Sequence, residues 1–279
     1  MQLQTETVAS GAAQITAEWA GTGRPVVFLH ANIADRRMWR HQFDALSADY
    51  RVIAFDRRGF GDTAMVDETY SQTDDLFAVL DRLAGSDEPA ILVGCSRGGS
   101  IAIDAVLDSP DRVAGLVLIA SGVSGAPVAT PVAAVQRLSD AIALASKSGD
   151  LDKVNRLQAA LWLDGPLAEE GRVSGPARDL FLTMNAIALA APPLGRVVEP
   201  EPAWARLDQI AVPVRILCGT LDIPHIQARC EQLAAALPDG RLEMLTACAH
   251  LPSLEQPARF TERLLKILAA FPAGRRFPD

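Results

Sequence analysis

Apolar, β-branched runs alternate along this chain with stretches of helical length. The runs occupy residues 25–29, 51–55, 90–95, 113–120, 212–218 and 241–245. Helical spacing of apolar positions occupies residues 36–48, 72–83, 97–107, 226–237 and 257–270. Ahead of them, residues 3–8 and 14–19 alternate with period two around Gly11, which predicts an antiparallel edge hairpin. The pattern therefore predicts an α/β fold with a mixed, mostly parallel sheet of about eight strands and crossover helices.

The rhythm changes between residues 122 and 205, where strand-like runs disappear. Residues 131–147, 151–163 and 176–190 all carry helical spacing of Ala, Leu and Ile. A Gly/Ser-rich stretch precedes this segment and a Pro-rich one ends it, as hinges commonly do. We therefore predict a core domain formed by residues 1–121 and 206–279, with a helical cap over residues 122–205.

Composition narrows the class of protein. The 279 residues are 49% hydrophobic and 22% charged, which is ample material for one large globular core. The net charge of −8 disfavours nucleic acid and anionic membrane as partners. The first residues lack the pattern of a signal peptide, and no apolar run approaches the roughly 18 residues of a membrane span. We expect a cytoplasmic monomer or homodimer with reduced cysteines, acting on a small molecule.

The most informative motif is G-x-S-x-G, formed by Gly94, Ser96 and Gly98 with one residue between each pair. An apolar run ends at this motif, and a helical pattern begins directly after it. A strand that turns straight into a helix strains the residue at the apex and exposes its side chain. The two glycines fit a place where strand and helix pass too closely for a Cβ. Ser96 is therefore the candidate nucleophile.

A serine nucleophile needs a base, and the base needs an orienting group. His250 lies on a loop after the last strand-like run, and Asp222 follows the run before it. Ligand sites in open α/β sheets lie beyond the carboxyl ends of the strands, so both side chains can reach the crevice that holds Ser96. The chain order Ser, Asp, His is also the order expected for this architecture. The sequence predicts a Ser96–His250–Asp222 triad.

Further motifs strengthen this interpretation. Phe-Leu-His-Ala-Asn spans residues 28–32, an Asp-x-Arg-Gly-x-Gly-x-Thr loop spans 56–63, Gly-x-x-Asp spans 219–222, and Ala-His-x-x-x-x-Glu-x-Pro spans 249–257. In this order the motifs resemble those of the α/β-hydrolase superfamily, in particular its serine esterases and enol-lactone hydrolases. The resemblance implies that the backbone N–H groups of Asn32 and Arg97 form an oxyanion hole. The Arg97 side chain is expected to be solvated, with a charge near the substrate as the alternative.

Other residues receive weaker assignments. The candidate lining of an apolar substrate pocket is Ile33, Trp39, Trp162, Phe181, Met184 and Leu251, several of which core packing would equally explain. His30 is expected to order the loop behind the oxyanion hole. The Gly-x-Gly-x-x-Ala of residues 59–64 leads into a polar loop instead of a helix, which disfavours a dinucleotide site. No spacing of His and Cys suits a metal, so we expect neither cofactor nor metal.

Together these features predict a serine hydrolase that cleaves a small carboxylic ester or lactone through an acyl-enzyme. Ser96 argues against those members of the fold that use an aspartate nucleophile. Hydrolysis of carbon–carbon bonds and cofactor-free perhydrolysis are alternatives within the fold, although Leu251 stands where carbon–carbon hydrolases usually have Trp. A receptor-like protein that binds a ligand without turnover is the alternative from a different class.

Overall fold

The computed structural model describes residues 3–85 and 88–272. Its strands are β1 (Gln4–Ser10), β2 (Ala13–Ala20), β3 (Pro25–Leu29), β4 (Arg51–Phe55), β5 (Thr69–Tyr70), β6 (Ala90–Cys95), β7 (Val113–Ile119), β8 (Arg196–Val197), β9 (Val214–Gly219) and β10 (Gly240–Leu245). Its α-helices are α1 (Arg40–Leu46), α2 (Gln72–Leu83), α3 (Arg97–Asp108), α4 (Ala133–Lys147), α5 (Leu151–Gln158), α6 (Pro176–Ala190), α7 (Pro224–Ala236), α8 (Pro252–Glu255) and α9 (Pro257–Ala269).

Eight of the described strands form one sheet in the order β1-β2-β4-β3-β6-β7-β9-β10. The β1–β2 and β2–β4 pairs are antiparallel, and every other pair in this sheet is parallel. The predicted edge hairpin and the mostly parallel sheet are therefore confirmed. Because β3, β6, β7, β9 and β10 run in one direction, the loops that follow their carboxyl ends lie along one edge of the sheet.

Alternate residues of the buried strands feed two cores, one on each face of the sheet. In β3, Val27 and Leu29 belong to the core that α2, α3 and α7 cover. Val26 and Phe28 belong to the core on the other face, which α1 and α9 cover. All four side chains are fully buried, as expected for a parallel strand with helices on both sides.

The segment between β7 and β9 differs from its prediction in two respects. The helix expected over residues 151–163 is α-helical only to Gln158 and continues as a π-helix, Ala159–Asp164. The segment also contains the short strand β8, which was not predicted and which pairs with β5 in a separate two-stranded sheet. Both strands are two residues long, too short for a period-two pattern to be visible. No helix of the described residues combines the length and apolar character needed to cross a bilayer.

Candidate active site

Ser96 stands at the apex of a tight turn between β6 and α3. Its backbone has φ 53° and ψ −113°, a left-handed conformation that a residue with a side chain rarely adopts. The turn is held by the Ser96 N–H, which donates to the Ile119 carbonyl at 2.9 Å. A Cβ on Gly98 would lie 2.2 Å from the Leu29 carbonyl oxygen, and one on Gly94 would lie 2.5 Å from the Gly98 carbonyl oxygen. The close approach of strand and helix thus requires glycine at both positions.

The structure brings His250 and Asp222 together. His250 Nδ1 lies 2.8 Å from Asp222 Oδ2, and both side chains are almost fully buried. A second Asp222 oxygen accepts from the Ile223 N–H at 2.7 Å, which fixes the carboxylate. The His250 loop lies against the Ser96 turn, because the Cys95 Sγ is 3.5 Å from the His250 carbonyl oxygen. An imidazole oriented in this way through Nδ1 presents Nε2 as its remaining nitrogen.

A buried glutamate holds the His250 loop. Glu255 Oε2 accepts from the Ala249 N–H at 2.7 Å, and Oε1 accepts from the Leu251 N–H at 2.9 Å, so the carboxylate binds the residue on each side of His250. Arg172, from the segment before α6, donates to the same carboxylate at 2.5 Å. Burial raises the pKa of Glu255, although its N–H donors and Arg172 act in the opposite direction. In the sequence Glu255 is one residue of a motif, and no role was predicted for it.

The π-helix packs against His250 through Trp162. The Trp162 and His250 rings lie 4.6 Å apart at 49°, and the His250 N–H donates to the Trp162 carbonyl at 3.2 Å. Asp164, at the end of the π-helix, is fully buried and pairs with Arg178 at 2.8 Å. Arg172 also donates to the Leu163 and Asp164 carbonyls. π-Helical turns often mark functional positions, and this one sets Trp162 against the imidazole.

The two predicted oxyanion donors are Arg97, which directly follows Ser96, and Asn32, which follows β3. Arg97 is the first residue of α3, and the N–H groups of a first turn have no partner inside their helix. Its side chain is not simply solvated as expected, because its guanidinium donates to Gln72 Oε1 and is only 26% exposed. The Arg97 side chain lines a cavity of about 480 Å³ whose lining does not include Ser96.

His30 orders the loop that carries Asn32. Its Nδ1 lies 2.8 Å from the Ala31 carbonyl and its Nε2 accepts from the Arg57 N–H at 3.0 Å, which identifies a neutral ring with the proton on Nδ1. Burial and the nearby Arg57 charge lower the pKa of His30 well below its usual range. Both partners are backbone groups, and the ring packs on Phe60 at 4.9 Å. This geometry matches the loop-ordering role expected for His30.

Arg57 has no acidic partner among the residues that the structure describes. Its guanidinium donates to Asn32 Oδ1 at 2.8 Å and stacks over the Phe60 ring at 4.5 Å, and the residue is only 4% exposed. Burial, together with the nearby charge of Arg97, lowers the pKa of Arg57 to about 9, so the side chain stays cationic at neutral pH. No role was predicted for Arg57 from the sequence.

The residues predicted to line a pocket separate into two groups. Trp39, Phe181, Met184 and Leu251 are fully buried in the core, where Trp39 packs between Phe28 and Phe260. Ile33 is 7% exposed next to Asn32, and Trp162 is half-buried beside His250. Of this set, Ile33, Trp162 and Leu251 lie next to residues of the candidate site.

The two ends of the helical segment meet at Ser124, which also bonds the buried Asp104. Ser124, near its beginning, donates its hydroxyl to Asp104 Oδ1 at 3.2 Å, and its Oγ accepts from the Ala203 N–H near its end at 2.9 Å. Asp104 lies on α3, which starts at the Ser96 turn. Burial raises the pKa of Asp104 to about 6. Within residues 3–85 and 88–272, no group of three or more His, Cys, Asp or Glu side chains is arranged to hold a metal ion.

Comparison with known proteins identifies the family. The chain belongs to the Alpha/beta hydrolase family, whose model matches residues 26–263. It is 28% identical to a Bacillus subtilis protein provisionally named 2-succinyl-6-hydroxy-2,4-cyclohexadiene-1-carboxylate synthase, over 91% of this chain and 93% of that protein. It is 26% identical to the pimeloyl-[acyl-carrier protein] methyl ester esterase of Nitrosomonas europaea, over 89% and 97% of the two chains. The esterase RhEst1 of a Rhodococcus species has a similar structure, with 25% identity, a TM-score of 0.75, and coverage of 98% and 100%. These matches confirm the α/β-hydrolase fold.

Proposed function

We propose that this protein is a serine hydrolase that cleaves a small carboxylic ester or lactone. The observation that carries the proposal is the strained Ser96 turn, whose neighbouring loop presents an imidazole fixed by Asp222 at 2.8 Å. The names of two relatives, a methyl ester esterase and an esterase, support ester chemistry as the class of reaction. The likeness of this chain to both extends over most of its length.

In the proposed mechanism Ser96 Oγ attacks the substrate carbonyl while His250 takes its proton. The tetrahedral oxyanion accepts hydrogen bonds from the N–H groups of Asn32 and Arg97. His250 then gives the proton to the leaving alcohol, and Asp222 stabilises the imidazolium that forms in between. Water attacks the acyl-enzyme by the same route, which releases the acid and restores Ser96. In a lactone the leaving alcohol stays part of the acyl chain, so hydrolysis releases a single hydroxy acid.

The helical cap proposed for residues 122–205 would limit substrate size and exclude water. The contact of Trp162 with the His250 ring supports this role. Water exclusion strengthens the hydrogen bonds to a developing oxyanion, because they act in a medium of lower dielectric. Carbon–carbon bond hydrolysis and perhydrolysis use the same three side chains in related folds, so a panel of substrates has to separate them.

The test combines a substitution with a covalent probe. We expect the parent protein to show burst kinetics with p-nitrophenyl acetate and to be labelled by a serine-directed fluorophosphonate. Ser96→Ala should lower turnover at least about 10³-fold and abolish labelling. The matched control is Ser109→Ala, just after the other end of α3, where the hydroxyl donates to the exposed Asp108 carboxylate. Near-parental turnover in Ser96→Ala would exclude Ser96 as the nucleophile, and a parent without burst or labelling would favour the ligand-binding alternative.

A further inference from the structure

Two arginines, Arg57 and Arg58, follow the carboxyl end of β4, and Arg36 pairs with Asp56 at the same place. The three side chains differ in how many carboxylates they bind. Arg36 pairs with Asp56 and also with Glu18 and Asp62. Arg58 pairs with two carboxylates, Glu68 at 2.5 Å and Asp75 at 2.8 Å. Arg57, between Asp56 and Arg58 in the chain, has no carboxylate within ion-pair distance among the described residues, although it is only 4% exposed.

The head group of Arg57 is only partly satisfied by the protein. Nη2 donates to Asn32 Oδ1, whereas Nε is buried without a hydrogen-bond partner and no protein acceptor in the described residues binds Nη1. The strongest nearby charge is that of Arg97, which has the same sign as Arg57. Proteins normally pair a buried charge, because removal from water is unfavourable. A ligand anion would supply the missing charge.

Arg57 is also linked to the proposed oxyanion hole through its hydrogen bond to Asn32. Its partner Asn32 is exposed, and the N–H group of this residue is one of the proposed oxyanion donors. Arg97, the second charge, directly follows Ser96. The two guanidinium groups differ, however, because that of Arg97 bonds to Gln72 and lies 3.9 Å from the Glu199 carboxylate, whereas that of Arg57 has no acid to neutralise it among the described residues. A neutral ester would leave this charge uncompensated in the complex.

We propose that Arg57 binds a carboxylate group of the substrate, so that the preferred substrates are carboxylate-bearing esters such as monoesters of dicarboxylic acids. The inference rests on the proposed ester hydrolysis for the identity of the reacting group, but not for the binding of the anion. Arg57 provides a fixed cation that a carboxylate can approach with a charge-assisted hydrogen bond.

Binding is measured first, in Ser96→Ala protein, so that no turnover intervenes. The ligands are monomethyl succinate, glutarate, adipate and pimelate, each compared by calorimetry with its dimethyl ester. We expect at least one monoester to bind with a Kd about tenfold or more lower than that of its diester. A charge-assisted hydrogen bond contributes an affinity gain of about this size. Adding Arg57→Gln should bring this ratio close to one, and Arg57→Lys should keep part of it. The control is Arg241→Gln, which removes the same charge from β10, where the side chain is 74% exposed.

The outcomes are distinguishable. Ser96→Ala protein that shows no preference for any monoester overturns the inference, and this result needs no Arg57 variant to fold. A preference that survives Arg57→Gln also overturns it, because the anion then binds elsewhere. Turnover of the same esters by the parent protein tests the proposed function separately. Preferential binding without turnover would refute ester hydrolysis while supporting the carboxylate site.

Discussion

The Glu255 carboxylate offers the sharpest quantitative test of how the His250 loop is held. Its side chain is fully buried and accepts from the Ala249 and Leu251 N–H groups as well as from Arg172. Glu255→Gln keeps the size of the side chain but replaces one acceptor oxygen with an N–H₂ donor. One backbone N–H then faces a donor, and Arg172 loses its charged partner.

The expected loss of stability follows from these contacts. A hydrogen bond to a charged group contributes about 1.5–3 kcal/mol, and an unsatisfied buried donor costs about 1–3 kcal/mol. Arg172 is 23% exposed, so water can solvate its guanidinium when the carboxylate is removed. The lost ion pair therefore adds only a small part to the expected loss of stability. We therefore expect Glu255→Gln to lower the free energy of unfolding by about 3 kcal/mol, which is a fall in Tm of roughly 6–10 °C for a chain of this size.

The assay is thermal unfolding, followed by turnover of p-nitrophenyl acetate well below the transition. A displaced His250 loop should lower kcat more than it raises KM, because the imidazole acts in the transition state. The control is Glu262→Gln on α9, an exposed carboxylate that pairs with Lys266, and its Tm should match that of the parent. A Tm within 2 °C of the parent for Glu255→Gln, which corresponds to less than about 1 kcal/mol, would refute the reasoning.

Two further predictions concern packing and pH. Gly98→Ala places a Cβ 2.2 Å from the Leu29 carbonyl and should destabilise the protein by about 1–3 kcal/mol in chemical denaturation. Gly122→Ala is its control, because its nearest contact would be an ordinary 3.9 Å, and equal losses in the two variants would contradict the steric argument. The raised pKa of Asp104, about 6, means that the folded state holds its proton more tightly than the unfolded chain, so stability should fall as pH rises from about 4 to 6. Asp104→Asn should remove this part of the slope and gain on the order of 1–2 kcal/mol at pH 7, and an unchanged slope in urea titrations would exclude Asp104 as its source.

Much of the fold could be predicted because its signals are local. The run at residues 90–95 and the helical pattern after it are visible as periodicity, and the glycines of the Ser96 turn report a close contact that only glycine tolerates. The same holds for the loops of Asp222 and His250, since each follows a strand-like run. The edge hairpin was visible for the same reason.

The features that escaped prediction depend on partners distant in sequence. Glu255 meets Arg172, which lies 83 residues before it, and no pattern around either residue indicates the contact. Arg57 and Arg58 are adjacent and chemically identical in the sequence, yet of the two only Arg58 has a carboxylate within ion-pair distance in the part of the chain that the structure describes. The π-helix likewise follows a helical pattern that extends into it without a break. Its end at Asp164 is set by buried bonds to the following loop.

The contacts of Arg172 have a consequence for how such a protein can be altered. This one side chain, from the helical segment, binds the Glu255 carboxylate and the Ala247 carbonyl of the His250 loop. The segment is therefore not an interchangeable module. Its replacement by the corresponding region of a relative would remove the hydrogen bonds that Arg172 donates to the His250 loop and to Glu255. A chimera should retain function only when Arg172 and Glu255 come from the same parent, or when both parents carry the pair. Arg172 and Glu255 therefore have to be kept together in any such exchange, although one residue lies in the helical segment and the other follows the last strand.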